Sequence, residues 1–240
     1  MIMSSNTFHF KQFTINQDQC AMKIGTDAVL LGAWANLEHH PNSVLDIGAG
    51  TGVIALMLAQ RSNEETIDAI EIDENAYKQC VGNFENSPWS DRLFCYHASL
   101  EEFTDEIDYK YDLIISNPPF YSDTFKSENK QRDLARFNDA LPFHHLVESV
   151  SKLLSDEGKF SVIIPFKEEE NFIELASNIN LFPNRITRVK GSPTSEIKRS
   201  LMEFSFNKNG LKINELIIEV ERHQYTQDYI NLTEDFYLKM

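Results

Sequence analysis

The sequence predicts an α/β fold, a doubly wound, mostly parallel sheet with an antiparallel carboxyl-terminal edge. From residue 43 onward, short apolar strands alternate with helices, the pattern of a parallel sheet covered on both faces. A glycine-rich turn joins the first of these strands to its helix. After residue 167, three strand-like runs follow one another without helices between them, which favours antiparallel pairing.

The first forty residues precede this alternating series. Residues 8–15 alternate imperfectly between apolar and polar and predict a short strand or hairpin. Thr26 and Asp27 come directly before the apolar run 28–34, so they predict the capped start of a helix.

The alternating series continues to residue 165. Its predicted strands are 44–47, 66–72, 93–96, 111–116 and 158–165, and its predicted helices are 53–61, 75–84 and 143–154. Asp73 is predicted to cap the second of these helices. A helix at 168–179, strands at 186–190, 201–206 and 213–220, and a short helix within 225–240 complete the prediction. No internal repeat or linker divides the chain, so we expect one domain over residues 1–240, with residues 1–42 as an amino-terminal extension.

The composition excludes several classes of protein. With 42% hydrophobic and 25% charged residues, the chain can bury a core. The longest apolar run, 53–59, is far shorter than the ~20 residues that span a membrane, and no signal peptide is visible, so we expect a cytoplasmic protein. Cys20, Cys80 and Cys95 form no CxxC pair, so we expect free thiols and no metal site. A net charge of −15 argues against non-specific coating of nucleic acid.

The turn 46–52 reads Asp-Ile-Gly-Ala-Gly-Thr-Gly between a buried strand and an apolar helix. Glycines allow close approach of a ligand, and the helix N-terminus presents free N–H groups that favour an anionic or carboxylate-bearing ligand. A dinucleotide fold needs a third glycine where this chain has Val53. The spacing G-x-G-x-G after Asp46 instead resembles the S-adenosylmethionine motif of class I methyltransferases. Glu71 ends the next strand, where nucleotide-binding folds bond ribose hydroxyls, whereas nearby Asp73 is the predicted helix cap.

A second motif, Asn117-Pro118-Pro119-Phe120, directly follows the strand 111–116. Two consecutive prolines fix the backbone and force Asn117 into an extended conformation. The Asn117 side-chain oxygen and the Pro118 carbonyl could accept both N–H groups of an amino group on a base, which would concentrate electron density on its nitrogen. Phe120 would stack on the base. This arrangement predicts methylation of a planar amino group.

Together, the glycine turn and the tetrapeptide resemble those of S-adenosylmethionine-dependent class I amino methyltransferases. The stretches 19–34, 83–89 and 198–204 are similar to those of the bacterial tRNA adenine N6-methyltransferases that modify adenosine 37 of valine tRNA. The resemblance covers nearly the whole chain and implies a tRNA substrate, no metal and a Rossmann-like sheet.

The resemblance also implies roles for the matching residues. Residues 1–42 would cover the cofactor site, and Asn117 would hold the target adenine and border the cofactor. The expected cofactor-binding residues are Thr26 at the methionine end, Asp46 near the ammonium group, Gly48, Gly50 and Gly52 in the turn, and Glu71 at the ribose. Where related enzymes often have an acid near the cofactor adenine, this chain has Ser99, which we expect to bond that base instead.

Other functions remain open from the residues alone. Similar tetrapeptides occur in enzymes that methylate ribosomal RNA guanine or protein glutamine, and an inactive RNA-binding module is the non-enzymatic alternative. An RNA substrate needs local cations, and two clusters offer them against the alternative of ordinary solvated surface. The clusters are Lys126, Lys130, Arg132 and Arg136 after the tetrapeptide, and Arg185, Arg188, Lys190, Lys198 and Arg199 on the carboxyl-terminal strands.

Overall fold

The computed structural model describes residues 6–63, 66–119 and 141–239. The strands are β1 (Thr7–His9), β2 (Thr14–Asn16), β3 (Ser43–Ile47), β4 (Thr66–Glu71), β5 (Leu93–His97), β6 (Tyr111–Ser116), β7 (Leu154–Pro165), β8 (Phe182–Lys190), β9 (Ile197–Ser205), β10 (Lys212–Ile217), β11 (Glu219–Glu221) and β12 (Gln224–Tyr225). The helices are α1 (Thr26–Trp34), α2 (Val53–Arg61), α3 (Glu74–Glu85), α4 (Leu100–Glu106), α5 (Phe143–Leu153), α6 (Glu169–Ser177) and α7 (Gln227–Thr233), with a 3₁₀ turn at Phe166–Glu168.

Eight strands form the central sheet in the order β10-β8-β9-β7-β6-β3-β4-β5. Within the described ranges, β9 alone runs against the others, since it pairs antiparallel with both β7 and β8. The mostly parallel sheet and its antiparallel carboxyl-terminal part are therefore confirmed. The outermost strand β10 differs from a simple antiparallel edge because it pairs parallel with β8. The short connections β8–β9 and β9–β10 each reverse the chain, so β8 and β10 run in the same direction. Because β7 and β8 already occupy both sides of β9, β10 pairs with the free side of β8 and is parallel to it.

Helices cover both faces of the sheet. One buried cluster includes α1 and α2 with Ile163, Val189 and Leu201 from the sheet. The other includes α5 and α6 with Ile164 and Met202. Consecutive residues of one strand point to opposite faces, which is why the buried strands read as continuous apolar runs.

The predicted helix start agrees with the structure for α3 and differs from it for α1 and α4. Asp73 caps α3 as predicted, accepting from the N–H groups of Asn75 (3.0 Å) and Ala76 (2.8 Å). Thr26 and Asp27 do not cap α1, because the helix already begins at Thr26 and Gly25 takes the cap position without a side-chain hydrogen bond. Helix α4 was not predicted, and Ser99 caps it.

The amino-terminal segment and the tail also match their predictions. β1 and β2 pair antiparallel as a hairpin, and α7 supplies the short terminal helix. In the described part of the chain, no helix is long and apolar enough to cross a membrane. All three cysteines are free.

Candidate active site

Three of the predicted site residues follow one aligned row of the sheet. Ile47 of β3 pairs with Ser116 of β6 on one side and with Ile70 of β4 on the other. Gly48, Glu71 and Asn117 are the next residues on these three neighbouring strands. Since neighbouring strands lie about 4.8 Å apart, Glu71 and Asn117 flank the glycine turn at the carboxyl edge of the sheet.

The glycine turn adopts a backbone that requires glycine. Gly48, Gly50 and Gly52 all have positive φ, at 74°, 56° and 79°, in the region that side chains with a Cβ disfavour. The N–H groups of Gly48 and Ala49 both donate to Ile70 O, at 3.0 and 3.1 Å, which ties the turn to β4. The turn is therefore held in place by the neighbouring strand.

The space around the turn is what a bound ligand would need. A Cβ at Gly48 or Gly50 would meet nothing within 4 Å, whereas a Cβ at Gly52 would lie 2.5 Å from the Phe84 ring and 2.9 Å from Cys80 Sγ. The first two glycines thus border open space, and the third permits close packing of α2 against α3. The residues present fit a ligand laid along the turn.

Glu71 supports the turn through its carboxylate. Oε2 accepts from Gly50 N at 2.8 Å, and Oε1 accepts from Asp73 N at 2.9 Å. A carboxylate has about four lone-pair sites, so both oxygens retain capacity for a further donor such as a hydroxyl. Ile72, the next residue, is 60% exposed.

Asp46 lies beneath the turn and is fully buried. Its Oδ2 accepts from Ala55 N at 3.2 Å, while Oδ1 has no partner among the described residues. Burial, with a smaller contribution from the negative charge of Glu71, raises the pKa of Asp46 to about 7. A cation placed over the turn would therefore find a carboxyl group poised to ionise.

The amino-terminal segment is tied to α3 beside this site. The Asn83 amide donates to Thr51 O in the glycine turn (2.9 Å) and to Asn16 O (3.0 Å), and its oxygen accepts from Asn16 N (2.9 Å). Gln79 Oε1 accepts from the N–H of Cys20 at 3.1 Å. Burial raises the pKa of the Cys20 thiol to about 12, and the charge of Glu71 contributes. The segment therefore lies close to the carboxyl end of β4.

The tetrapeptide begins where β6 ends. Ser116 Oγ donates to Ile47 O at 3.0 Å, which fixes the end of β6 to the end of β3. Asn117 and Pro119 are half-buried and Pro118 is buried. Phe120, the predicted stacking residue, lies outside the described residues, as does the cation cluster at Lys126, Lys130, Arg132 and Arg136.

Residues 22–168 match the methyltransferase small domain family. The chain belongs to that family. It is therefore an enzyme that transfers methyl groups, and its methyl donor is S-adenosylmethionine.

Full-length relatives of this methyltransferase carry a more specific name. It is 61% identical over 240 residues, 99% of this chain and 100% of the relative, to the tRNA1(Val) (adenine(37)-N6)-methyltransferase of Christiangramia forsetii. It is 48% identical over 239 residues, again 99% of this chain and 100% of the relative, to the protein of the same name in Trichodesmium erythraeum.

Solved structures agree on the fold. A predicted O-methyltransferase from Agrobacterium tumefaciens has a TM-score of 0.68 at 18% identity, covering 88% of this chain and 96% of its own. A putative RNA methyltransferase from Pyrococcus horikoshii has a TM-score of 0.53 at 16% identity, covering 74% and 80%. These similarities confirm the class I methyltransferase architecture.

Thr26 has an exposed side chain in this methyltransferase, whereas the hydroxyl of Ser99 is held in a helix cap. Thr26 is exposed at the start of α1, and that helix end reaches the carboxyl edge because Asp27 Oδ2 lies 2.7 Å from Arg199 Nε. Ser99 Oγ accepts from Glu102 N and donates to the Glu102 carboxylate in a capping box. The hydroxyl of Ser99 is thus already engaged, and its predicted contact with the cofactor base stays a prediction.

The carboxyl-terminal cation cluster is not an open basic patch. All five cations have a carboxylate within 4 Å: Arg185 with Glu203, Arg188 with Glu169, Lys190 with Glu215, Lys198 with Glu196 and Arg199 with Asp27. Glu196 is two residues from Lys198, but the other four carboxylates are distant in the sequence from the cations they pair with, so the sequence could not reveal those four pairs.

Two polar side chains beside the candidate site were assigned no role from the sequence. Gln79 and Asn83 fix the amino-terminal segment, and both are buried. They lie four residues apart on the stripe of α3 that also buries Ala76, Cys80 and Phe84. An amide on the buried stripe of a helix needs a partner, and that was the signal available in the sequence.

Proposed function

We propose that this protein transfers a methyl group from S-adenosylmethionine to the N6 amino group of adenosine 37 in tRNA1(Val). The observation that carries the proposal is the alignment of Gly48, Glu71 and Asn117 at one edge of the sheet. The turn that we assign to the cofactor thus lies beside the motif that we assign to the target amino group. Relatives at up to 61% identity over the full chain bear the name of that activity.

We assign the cofactor site to the residues around the glycine turn. Bound there, S-adenosylmethionine supplies an electrophilic methyl group on its sulfonium centre. The turn residues Gly48, Gly50 and Gly52 allow close approach, Glu71 accepts from ribose hydroxyls, and Asp46 offers its unpartnered oxygen toward the ammonium end. Thr26 and Asn117 border the methionine end, and Ser99 is assigned to the cofactor base.

The target amino group is assigned to the tetrapeptide. Asn117 Oδ1 and the Pro118 carbonyl accept its two N–H groups, which keeps electron density on the nitrogen as its bond to carbon loses double-bond character. Pro119 keeps the backbone rigid, and Phe120 stacks on the base. These contacts strengthen toward the transition state, so they raise turnover more than affinity.

Several wider assignments belong to the same proposal. Residues 1–240 form one methyltransferase domain in which residues 1–42 cover the cofactor site, an arrangement supported by the hydrogen bonds of Asn83 to Asn16 and Thr51. The partner is tRNA, the enzyme needs no metal, and it works in the cytoplasm.

The direct test is nucleoside analysis after reaction. The purified protein is incubated with tritiated S-adenosylmethionine and total tRNA from cells that lack this modification, and we expect label in N6-methyladenosine of tRNA1(Val). Parallel incubations supply ribosomal RNA or protein in place of tRNA, and label in ribosomal RNA guanine or in protein glutamine there, without label in tRNA, would contradict the proposal in favour of those alternatives. No transfer to any of these substrates would favour a binding module without activity.

Asn117→Ala supplies the mechanistic variant of this assay. It removes an acceptor that acts on the reacting nitrogen, so single-turnover methylation should fall by at least about 100-fold. Titration calorimetry should still detect S-adenosylmethionine binding, because the glycine turn and Glu71 are untouched. Near wild-type methylation by this variant would rule out the proposed role of the tetrapeptide.

A further inference from the structure

Phe166 lies at the same edge of the sheet as the tetrapeptide. It directly follows Pro165, the last residue of β7, the strand next to β6. The two strands pair in parallel with Ser116 opposite Val162, so counting on puts Pro119 level with Pro165. Neighbouring strands are about 4.8 Å apart. Phe166, which is half-buried, therefore follows β7 at the same level of the sheet at which the motif that is assigned to the target base follows β6.

An anchored arginine lies over this ring. The guanidinium carbon of Arg188 is 5.3 Å from the centroid of Phe166. Its Nη2 and Nε donate to Glu169, at 2.7 and 3.2 Å to Oε1. Glu169 is only 3% exposed, and the Ser200 hydroxyl also donates to it. The buried carboxylate therefore holds the guanidinium in one orientation.

Part of Arg188 remains available to a ligand. Its side chain is 34% exposed, and Nη1 makes no hydrogen bond to a residue within the described ranges. A guanidinium that is already fixed loses little conformational entropy when it binds an anion. An aromatic ring beside an arginine is also how proteins hold unpaired nucleotides, the ring stacking on the base and the cation contacting the backbone.

We propose that Phe166 and Arg188 hold the nucleotide adjacent to the target adenosine, with the ring stacked on its base and Nη1 donating to its phosphate. This inference rests on the proposed function, since it takes RNA as the substrate. Adenosine 37 lies beside the anticodon, where the neighbouring nucleotides are unpaired, and stacking tolerates any base. The pair thus positions the substrate strand while Asn117 acts on the amino group.

Arg185 offers a matched control on the same strand. Its Nη2 lies 3.2 Å from the buried Glu203, and its guanidinium carbon lies 3.6 Å from the centroid of the Trp34 ring. It therefore has the same kinds of contact as Arg188, but it is about 10 Å further from the carboxyl edge along β8. Substituting it removes an ion pair and a ring contact without touching the proposed nucleotide site.

The experiment compares Phe166→Leu, Phe166→Trp, Arg188→Gln and Arg185→Gln, with wild type, on unmodified tRNA transcript. We expect Phe166→Leu to raise the KM for tRNA roughly 10- to 100-fold, with an unchanged salt slope and unchanged S-adenosylmethionine affinity. Phe166→Trp should restore the wild-type KM. Arg188→Gln should raise KM and reduce the slope of log KM against log salt by about 0.7. Arg185→Gln should lower the midpoint of thermal unfolding but leave the KM for tRNA and its salt slope unchanged.

Two results would overturn this inference while leaving the proposed function intact. One is a wild-type KM for Phe166→Leu, and the other is the same slope change in Arg188→Gln and Arg185→Gln. If wild type neither binds nor methylates tRNA, the proposed function fails and this inference fails with it. Should Arg188→Gln not fold, Arg188→Lys keeps the charge beside Glu169 and is expected to raise KM without changing the slope; an unchanged KM would also overturn the inference.

Discussion

Asp46 connects the buried sheet to the candidate cofactor site. Its carboxyl group is fully buried under the glycine turn and holds the start of α2 through Ala55 N. Burial raises its pKa to about 7, so near neutral pH the group is divided between its two protonation states. Its protonation should therefore be visible in both stability and ligand binding.

Asp46→Asn should change how stability depends on pH. In the unfolded chain the carboxyl has an ordinary pKa near 4, so the folded state holds a proton that the unfolded chain releases between about pH 4 and pH 7. Its contribution to stability is fully present below pH 4 and is lost as the pH rises toward 7. From pH 5 to pH 8 the wild-type free energy of unfolding should fall by roughly 2–3 kcal/mol more than that of Asp46→Asn.

Urea unfolding at the two pH values measures this difference. Asparagine keeps an acceptor for Ala55 N, so the variant should fold. Asp91→Asn, a substitution at an exposed site, serves as the control and should follow the wild-type pH dependence. The same dependence in wild type and Asp46→Asn would show that Asp46 does not titrate in this range.

Glu71 illustrates what a sequence can predict about a site residue. The sequence predicts that Glu71 ends the strand that follows the glycine turn and its helix. This prediction needs only the alternation of strands and helices and the usual length of a strand. The bond of Glu71 to Gly50 N does not follow from these patterns, because that contact depends on the positive φ that Gly50 adopts. Strand ends are predictable from local pattern, whereas hydrogen bonds across a turn depend on tertiary geometry.

The glycine turn and the two helices beside it share one packing constraint. At Gly52 a side chain would collide with Phe84 and Cys80 of α3, while at Gly50 it would enter open space. Both positions have positive φ, so any other residue is strained there. Gly52 therefore allows α2 to pack closely against α3, whereas Gly50 borders the space of the candidate cofactor site.

Gly52→Ala and Gly50→Ala should separate packing from ligand binding. Gly52→Ala adds a collision to the backbone strain and should destabilise the fold by about 2–4 kcal/mol. Gly50→Ala adds the strain alone, about 1–2 kcal/mol, but should weaken S-adenosylmethionine binding at least tenfold by filling the space along the turn. Thermal unfolding and titration calorimetry provide the two readouts. A larger loss of stability in Gly50→Ala than in Gly52→Ala would contradict this division.

Helix α4 was not predicted, and strand β10 was predicted but its parallel pairing with β8 was not. Helix α4 has only seven residues, and its run contains few apolar side chains, so its periodicity is weak. Its capping box of Ser99 and Glu102 was the readable signal. The direction of β10 has no such local signal, since it depends on which edge of the sheet was still free. Central strands, by contrast, were predicted to within a few residues because they are apolar and bounded by turns.

The net charge of −15 opposes approach of any RNA as a whole. Cations near the carboxyl edge must therefore act locally, and within the described residues they are paired with carboxylates. The pairs differ in strength. Lys198 lies 3.6 Å from Glu196 with both side chains mostly exposed, a pair that contributes little. Arg199 is 2.7 Å from Asp27 and joins β9 to α1.

Lys198→Ala and Arg199→Ala should therefore behave differently, although the residues are adjacent. Lys198→Ala should raise the KM for tRNA and reduce its salt slope by about 0.7, with unchanged stability and cofactor affinity. Arg199→Ala should also weaken S-adenosylmethionine binding, because it releases the end of α1 that carries Thr26. Lys212→Ala removes the same charge at an exposed site at the start of β10, which lies at the opposite end of the strands from the carboxyl edge. It should leave the slope unchanged. KM measured from 50 to 200 mM salt decides the matter: equal slopes in Lys198→Ala and Lys212→Ala would mean that net charge, not a local phosphate contact, governs tRNA binding.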